Sequence, residues 1–149
     1  KIRNFVGINI FRIMKEIHSY WAYIVLAILI FTVVNAIIGL SKKKQFTDKD
    51  LRLGLFTLIV SHIQLLIGVA LYIYEGRYAN IAETMKVSEA RLLALEHPLV
   101  MIIAIVLITI GWSKHKKKAE AAAKFKTFAI FYGAALFLVL SRIPWSNWF

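Results

Sequence analysis

A histidine and a glutamine interrupt the apolar run of residues 58–67, which reads LIVSHIQLLI. They are His62 and Gln64, and burial of either in an apolar environment costs free energy unless it finds a partner. Two further histidines, His18 and His97, also fall in or at the edge of apolar segments. An ionisable residue at such a depth in a membrane segment suggests a functional site.

Neutral imidazole is a common axial ligand of haem iron, and such sites are built from facing helices. The alternative is that each imidazole only hydrogen-bonds a neighbouring helix. A rise of about 1.5 Å per residue puts His97 roughly 6 Å in depth from His62 and roughly 9 Å from His18. Helix tilts average about 20°, so neither pair is excluded. We expect at most two of the three to bind one haem iron, with His97 in either pair, and we expect His115 in SKHKKK to be solvated.

The sequence around His97 offers groups that could orient it. Pro98 suits a first helical turn or a kink, either of which could aim the imidazole. Glu96 could orient the ring or face water at the interface. Arg142, in SRIPW, could pair with a haem propionate or with Glu96, or could extend its side chain to the membrane surface. One face of this helix combines small and apolar residues, which leave room for a flat group or for close helix packing: His97, Met101, Ala104, Ile108 and Gly111.

A stripe of small and polar residues also follows the helix that carries His62 and Gln64. Small and hydroxyl-bearing residues on one stripe allow close approach of helices in lipid, and a turn of 100° per residue aligns Gly54, Thr57, Ser61, Gln64, Gly68 and Tyr72. The stripe predicts interhelical packing and hydrogen bonding, with His62 beside it.

The composition is that of a membrane protein. Of 149 residues, 60% are hydrophobic, and the absence of cysteine excludes disulfides and thiolate metal sites. Four apolar stretches each approach the length of about 20 residues that crosses a bilayer as a helix, namely 20–40, 51–74, 93–112 and 125–140. We therefore predict an all-α, polytopic membrane protein: one transmembrane domain, 1–149, folded as a four-helix transmembrane bundle.

The basic residues predict its orientation. The net charge is +11, and lysine and arginine are concentrated in 41–52 and 113–126. The positive-inside rule puts both loops in the cytoplasm, which leaves both termini and the loop 75–96 outside. Residues 1–16 are also basic and conflict with this topology. They are either an interfacial amphipathic helix or, if Met14 is the natural start, mostly an upstream extension, residues 1–13.

Four stretches of the chain resemble a family of short, four-helix bacterial membrane proteins labelled cytochrome B or cytochrome b-like. They are IHSYW (17–21), SHIQLLIGVALY (61–72), EHPLVMIIAIVLITIGWSK (96–114) and KFKTFAIFYGAALFLVLSRIPW (124–145). The resemblance begins near Met14. It implies a haem b protein of the bacterial inner (cytoplasmic) membrane, with His18, His62 and His97 as the matching helix histidines and Arg142 in the matching RIPW motif.

These observations predict an electron-transfer protein that binds one haem b, more an electron carrier or subunit than a stand-alone enzyme. Its expected partners are the lipid bilayer and a respiratory or other membrane complex, and nucleic acid is not expected. Two alternatives stay open. One is a haem-free membrane subunit or scaffold that binds another membrane protein through its polar helix faces. The other is a small transporter or proton relay, with His62 and Gln64 lining the path.

Overall fold

Four long helices make up most of the structure, which is a computed structural model. It describes the backbone of residues 2–147 and the side chains of residues 9–79 and 81–146. The long helices are α1 (Ile2–Ser41), α2 (Asp48–Glu75), α3 (His97–His115) and α4 (Ala121–Arg142), and the described backbone contains no strand. All four are long and apolar enough to cross a membrane. The predicted all-α four-helix bundle is confirmed, and the chain is a multi-pass membrane protein.

The connection from α2 to α3 is helical in short pieces. Gly76 ends α2 with a φ of 64°, a left-handed conformation that glycine adopts at low cost. Short helices follow at Arg77–Asn80, Ile81–Thr84 and Ser88–Arg91, and then a wider π-helical turn at Leu92–Glu96 leads directly into α3. Helical backbone therefore runs without a break over Ser88–His115, which contains the predicted span 93–112.

The packing order of the helices decides which side chains can meet. α1 packs against α2 and α4, and α3 packs against the same two helices. Consequently α1 and α3 face each other diagonally across the bundle. We call the end formed by residues 42–47 and 116–120 the basic end, and the opposite end, where α2 stops and α3 begins, the histidine end.

Aromatic side chains fill the core towards the basic end. Phe125, Phe128 and Tyr132 of α4 are almost completely buried, and the Tyr132 hydroxyl donates a hydrogen bond to the Gly54 carbonyl at 3.0 Å. Other large apolar side chains point outwards, as with Phe137, which is 72% exposed. Since apolar side chains on all sides of a bundle are suited to lipid, the outer surface contacts the bilayer.

The expectation that His115 is solvated is wrong. Its side chain is buried, its Nδ1 donates to the carbonyl of Trp112, and its ring lies 4.7 Å from that of Phe128. Residue 115 follows Ile108 by two helical turns, so the helix repeat returns it to the buried face. The lysines on both sides of His115 conceal this periodicity in the sequence.

Residues 2–16 belong to α1 and do not form a separate helix. In this segment Arg12 donates to Glu16 one turn later, at 2.9 Å, and both side chains are exposed. The side chains of residues 1–8 lie outside those described. That residues 1–16 lie in the membrane interface, or that 1–13 extend a natural start, stays a prediction.

Candidate functional site: a histidine pair across the bundle

The histidine end brings His18 of α1 and His97 of α3 together across the core. Their ring centroids lie 6.3 Å apart, and the ring planes are inclined at 76°. Two imidazoles whose nitrogens each lie about 2.0 Å from one metal ion have centroids roughly 6 Å apart. The observed separation matches that of two imidazoles that would hold one iron, and it also falls within the range of an ordinary edge-to-face ring pair.

The orientation of the His97 ring is fixed by a backbone group. Its Nδ1 donates to the carbonyl of Arg142, at the end of α4, over 2.8 Å. With the proton on Nδ1, the lone pair of Nε2 is free to bind a metal. Histidines that bind metals commonly donate their other ring N–H to a carbonyl or carboxylate in this way.

His18 is held by α2. Nε2 of Gln64 donates to the His18 backbone carbonyl at 3.0 Å and lies 3.3 Å from its ring Nδ1 and 3.4 Å from its ring Nε2. One turn further along, Gly68 faces the same ring, and a Cβ at that position would lie 3.1 Å from His18 Cε1. The lack of a side chain at Gly68 thus leaves the space that the His18 imidazole occupies.

Two buried polar atoms of α2 have no partner among the described residues. They are Oγ of Ser61 and Oε1 of Gln64. An unsatisfied buried group of this kind costs about 1–3 kcal/mol, so the arrangement is suited to an additional polar ligand.

The described residues contain no group of three or more His, Cys, Asp or Glu side chains able to enclose a metal ion. Two imidazoles alone match a haem, since the porphyrin supplies the remaining four ligands.

His62 lies apart from this pair. Its Nδ1 donates to the Leu58 carbonyl of its own helix at 2.8 Å, and its Nε2 lies 3.4 Å from the hydroxyl of Thr109. Gln64 instead contacts His18. The described side chains of His62 and Gln64 therefore contact different neighbours, and that the two line one path stays a prediction.

Arginine and glutamate side chains surround the histidine end. Glu96 accepts hydrogen bonds from Arg91 at 2.8 Å and contacts Arg142 at 3.3 Å. Glu96 is thus paired with arginines, and the ring of His97 is oriented by the Arg142 carbonyl. Beyond the end of α2, the hydrogen bond to Glu75 raises the pKa of the Arg77 guanidinium, which therefore stays charged.

The turn before His97 depends on a residue that the sequence did not single out for this role. Pro98 has no N–H and cannot donate to the Ala94 carbonyl four residues earlier. The Tyr72 hydroxyl of α2 donates to that carbonyl at 3.0 Å. The sequence signal was the position of Tyr72 on the same stripe as Gln64 and Gly68. This bond connects α2 to the segment that carries His97.

No protein-family model, curated protein or solved structure matches the chain. The likeness to cytochrome b-like proteins rests on the quoted motifs and stays a prediction. A bound group is therefore inferred from the geometry of His18, His97 and their neighbours.

Proposed function

We propose that the chain is a b-type haem-binding membrane protein that transfers electrons, with His18 and His97 as the residues that would hold the haem iron. The observation that carries this proposal is their 6.3 Å separation across the bundle. The bond from His97 to the Arg142 carbonyl supports it, because it leaves one ring nitrogen free for iron. His62 is not proposed as a ligand, since its Nδ1 donates to the Leu58 carbonyl of its own helix.

A haem bound there would supply one-electron redox chemistry. A haem held by two histidines would favour electron transfer over oxygen chemistry. The Arg142 carbonyl holds His97 in one tautomer, and Gln64 holds the backbone of His18. The guanidinium groups of Arg91 and Arg142 are suited to the two haem carboxylates, as the sequence predicts for Arg142.

The proposed site of action is the bacterial inner membrane. With the loops 41–52 and 113–126 in the cytoplasm, the histidine end lies at the outer surface, together with both termini. The redox partner would then reach the haem from that surface or from within the bilayer. A respiratory or other membrane complex is the expected class of partner.

Absorption spectroscopy tests the proposal. The chain is expressed with full haem supply, purified in detergent, and measured oxidised and reduced. We expect a reducible Soret band with sharp α and β bands. His18→Ala and His97→Ala should each lose the sharp reduced bands, and added imidazole should restore them to His97→Gly because it can occupy the vacated position.

His62→Ala is the matched control for these variants. It removes the same side chain from the third membrane histidine, and its spectrum should equal that of the wild type. Loss of haem in His62→Ala with retention in His18→Ala would reject the proposed ligand pair. A colourless wild-type protein would reject haem binding, and a membrane protein that then co-purifies would support the scaffold alternative.

A second candidate function, a proton relay, is supported by polar contacts between α1 and α2. Nδ2 of Asn35 donates to Asp50 at 2.7 Å, and the hydroxyls of Thr32 and Thr57 lie 2.6 Å apart. With the contact between Gln64 and His18, these groups follow one interface from the basic end towards the histidine end. Proton flux into vesicles that contain the protein tests this candidate. Thr57→Val should abolish the flux, and an unchanged rate would exclude the route.

A further inference from the structure

The two loops of the basic end form one surface. Phe46, between α1 and α2, packs with its ring centroid 5.0 Å from Phe125 and 5.8 Å from Phe128, both in α4. Gly39 allows α1 to approach closely, because a Cβ there would lie 2.5 Å from the Phe125 ring. Aromatic packing thus joins segments that lie far apart in the sequence, and we call their shared lysine surface the basic platform.

Exposed lysines cover this surface. The basic platform consists of Lys42, Lys43, Lys44, Lys116, Lys117 and Lys118, all of which are exposed. None of the ion pairs between described residues includes one of these lysines. The nearby carboxylate of Asp50 is already bonded to Asn35 and to Thr47. The exposed carboxylates of Asp48 and Glu120 also lie at this end, but the six lysines outnumber them, so the platform presents a net positive charge to whatever lies against it.

Aromatic rings contact two lysines at the basic end, one in the platform and one beside it. The ammonium of Lys116 lies 4.8 Å from the Trp112 ring centroid, and that of Lys124 lies 5.3 Å from Phe46. Such cation–π contacts restrict a flexible side chain while leaving its charge available. These contacts therefore restrict one lysine of the platform, Lys116, and its neighbour Lys124.

Lys43 has a backbone conformation that favours glycine. Its φ is 50°, and among the described residues it is the one non-glycine with a positive φ. It follows the end of α1, where the amide of Lys44 donates to the Gly39 carbonyl at 3.0 Å. Glycine usually occupies this position in a helix terminus, because a Cβ is unfavourable there. A lysine at this position adds charge to the platform where glycine would add stability.

We propose that the basic platform binds the phosphate groups of anionic phospholipids in the adjoining leaflet. The lysines begin directly after the apolar helix ends, at the depth of the headgroups. The loops 42–47 and 116–120 are short and do not extend far above that level. Lysines beside membrane spans are attracted to anionic lipid, and Trp112 adds an aromatic group typical of the interface. This inference is independent of haem binding.

Spin-labelled lipids test the proposal on the full chain in phosphatidylcholine vesicles. The fraction of immobilised label is compared for phosphatidylglycerol and phosphatidylcholine probes. We expect wild type to prefer the anionic probe by about tenfold, since each lysine near the headgroups adds to the attraction. The triple variant Lys116→Gln, Lys117→Gln and Lys118→Gln should lose most of this preference. An equal preference in both proteins would overturn the proposal.

A charge-matched control removes three basic residues from elsewhere in the protein. The substitutions Arg12→Gln, Lys15→Gln and Lys86→Gln neutralise exposed side chains on the histidine side of the bundle. This control should keep the full lipid preference. An equal loss in the control would mean that net charge, and not the platform, attracts the lipid.

Lys43→Gly distinguishes the contribution of the Lys43 charge to lipid binding from the effect of this residue on stability. It should resist unfolding better than wild type and yet immobilise less anionic probe. Wild-type lipid preference in this variant would show that Lys43 does not contribute to lipid binding.

Inorganic phosphate or polyglutamate should displace the anionic probe poorly from the wild-type protein. Efficient displacement by phosphate would overturn the proposal in favour of a free anion, and efficient displacement by polyglutamate in favour of an acidic protein.

Discussion

The bond from Tyr72 to the Ala94 carbonyl makes a quantitative prediction about the turn before His97. In Tyr72→Phe, Ala94 loses the donor that approaches it at 3.0 Å, and Pro98 cannot replace it. Loss of such a bond costs about 1 kcal/mol in water-soluble proteins, and bonds between membrane helices average about 0.6 kcal/mol. We expect Tyr72→Phe to lower the free energy of unfolding by about 1 kcal/mol.

The same reasoning predicts an interaction with Pro98. In Pro98→Ala the chain regains an N–H four residues after Ala94, so that the helix itself can satisfy the carbonyl. Adding Tyr72→Phe to Pro98→Ala should then lower the free energy of unfolding by less than about 0.3 kcal/mol. Wild type, the two single variants and the double variant form a double-mutant cycle, and the coupling energy from it should be near the full value of the hydrogen bond.

Unfolding in mixed lipid–detergent micelles, titrated with a denaturing detergent and followed by circular dichroism, measures all four proteins of the cycle. Tyr20→Phe is the control, because that side chain is 70% exposed and the variant should stay within about 0.5 kcal/mol of wild type. If Tyr72→Phe costs the same with and without Pro98, the proline does not create the need for the tyrosine hydroxyl, and the reasoning is refuted.

Three further substitutions test the packing with the same titration. Gly39→Ala should destabilise the fold by about 1–3 kcal/mol, because its Cβ would meet the buried ring of Phe125 at 2.5 Å. Gly133→Ala, whose Cβ would lie 3.9 Å from the nearest side-chain atom, should instead stabilise it by up to about 1 kcal/mol; equal effects at both glycines would contradict this interpretation. Thr57→Val keeps the shape of the side chain but removes the 2.6 Å contact with Thr32, and should cost about 1 kcal/mol. An unchanged midpoint would show that this contact adds no stability.

The sequence predicts the four helices because each needs only a long apolar run, which is a local property of the chain. The interior face of α2 was predictable for the same reason. Its stripe of small and polar residues follows the helical repeat, and Thr57, Ser61 and Gln64 do face other helices in the structure.

The choice between the two histidine pairs could not be made from the sequence. Residue counting gives depth along each helix, and by depth alone His62 lies nearer to His97 than His18 does. The outcome depends on how each helix is rotated and tilted, which packing determines. Gly68 lets His18 approach α2, while His62 bonds its own helix at Leu58.

The burial of His115 was missed for a related reason. The lysines around it are a strong local signal for a solvated loop, but α3 continues through this residue. Its ring lies 4.5 Å from that of Trp112 and 6.1 Å from that of Phe46. The contact with Phe46 comes from a distant loop, so no local pattern could predict it.

The unequal lengths of the helices have a practical consequence. A helix of 40 residues, such as α1, is about 60 Å long, whereas the hydrocarbon layer is about 30 Å thick. Continuous helices curve only gently. If residues 2–16 continue straight from the membrane instead of lying in its interface, α1 projects from one face of a lipid nanodisc as a rod of density that α4, with 22 residues, cannot match. In electron micrographs of single particles, this rod would distinguish the two faces of the disc and give a direct way to orient each particle.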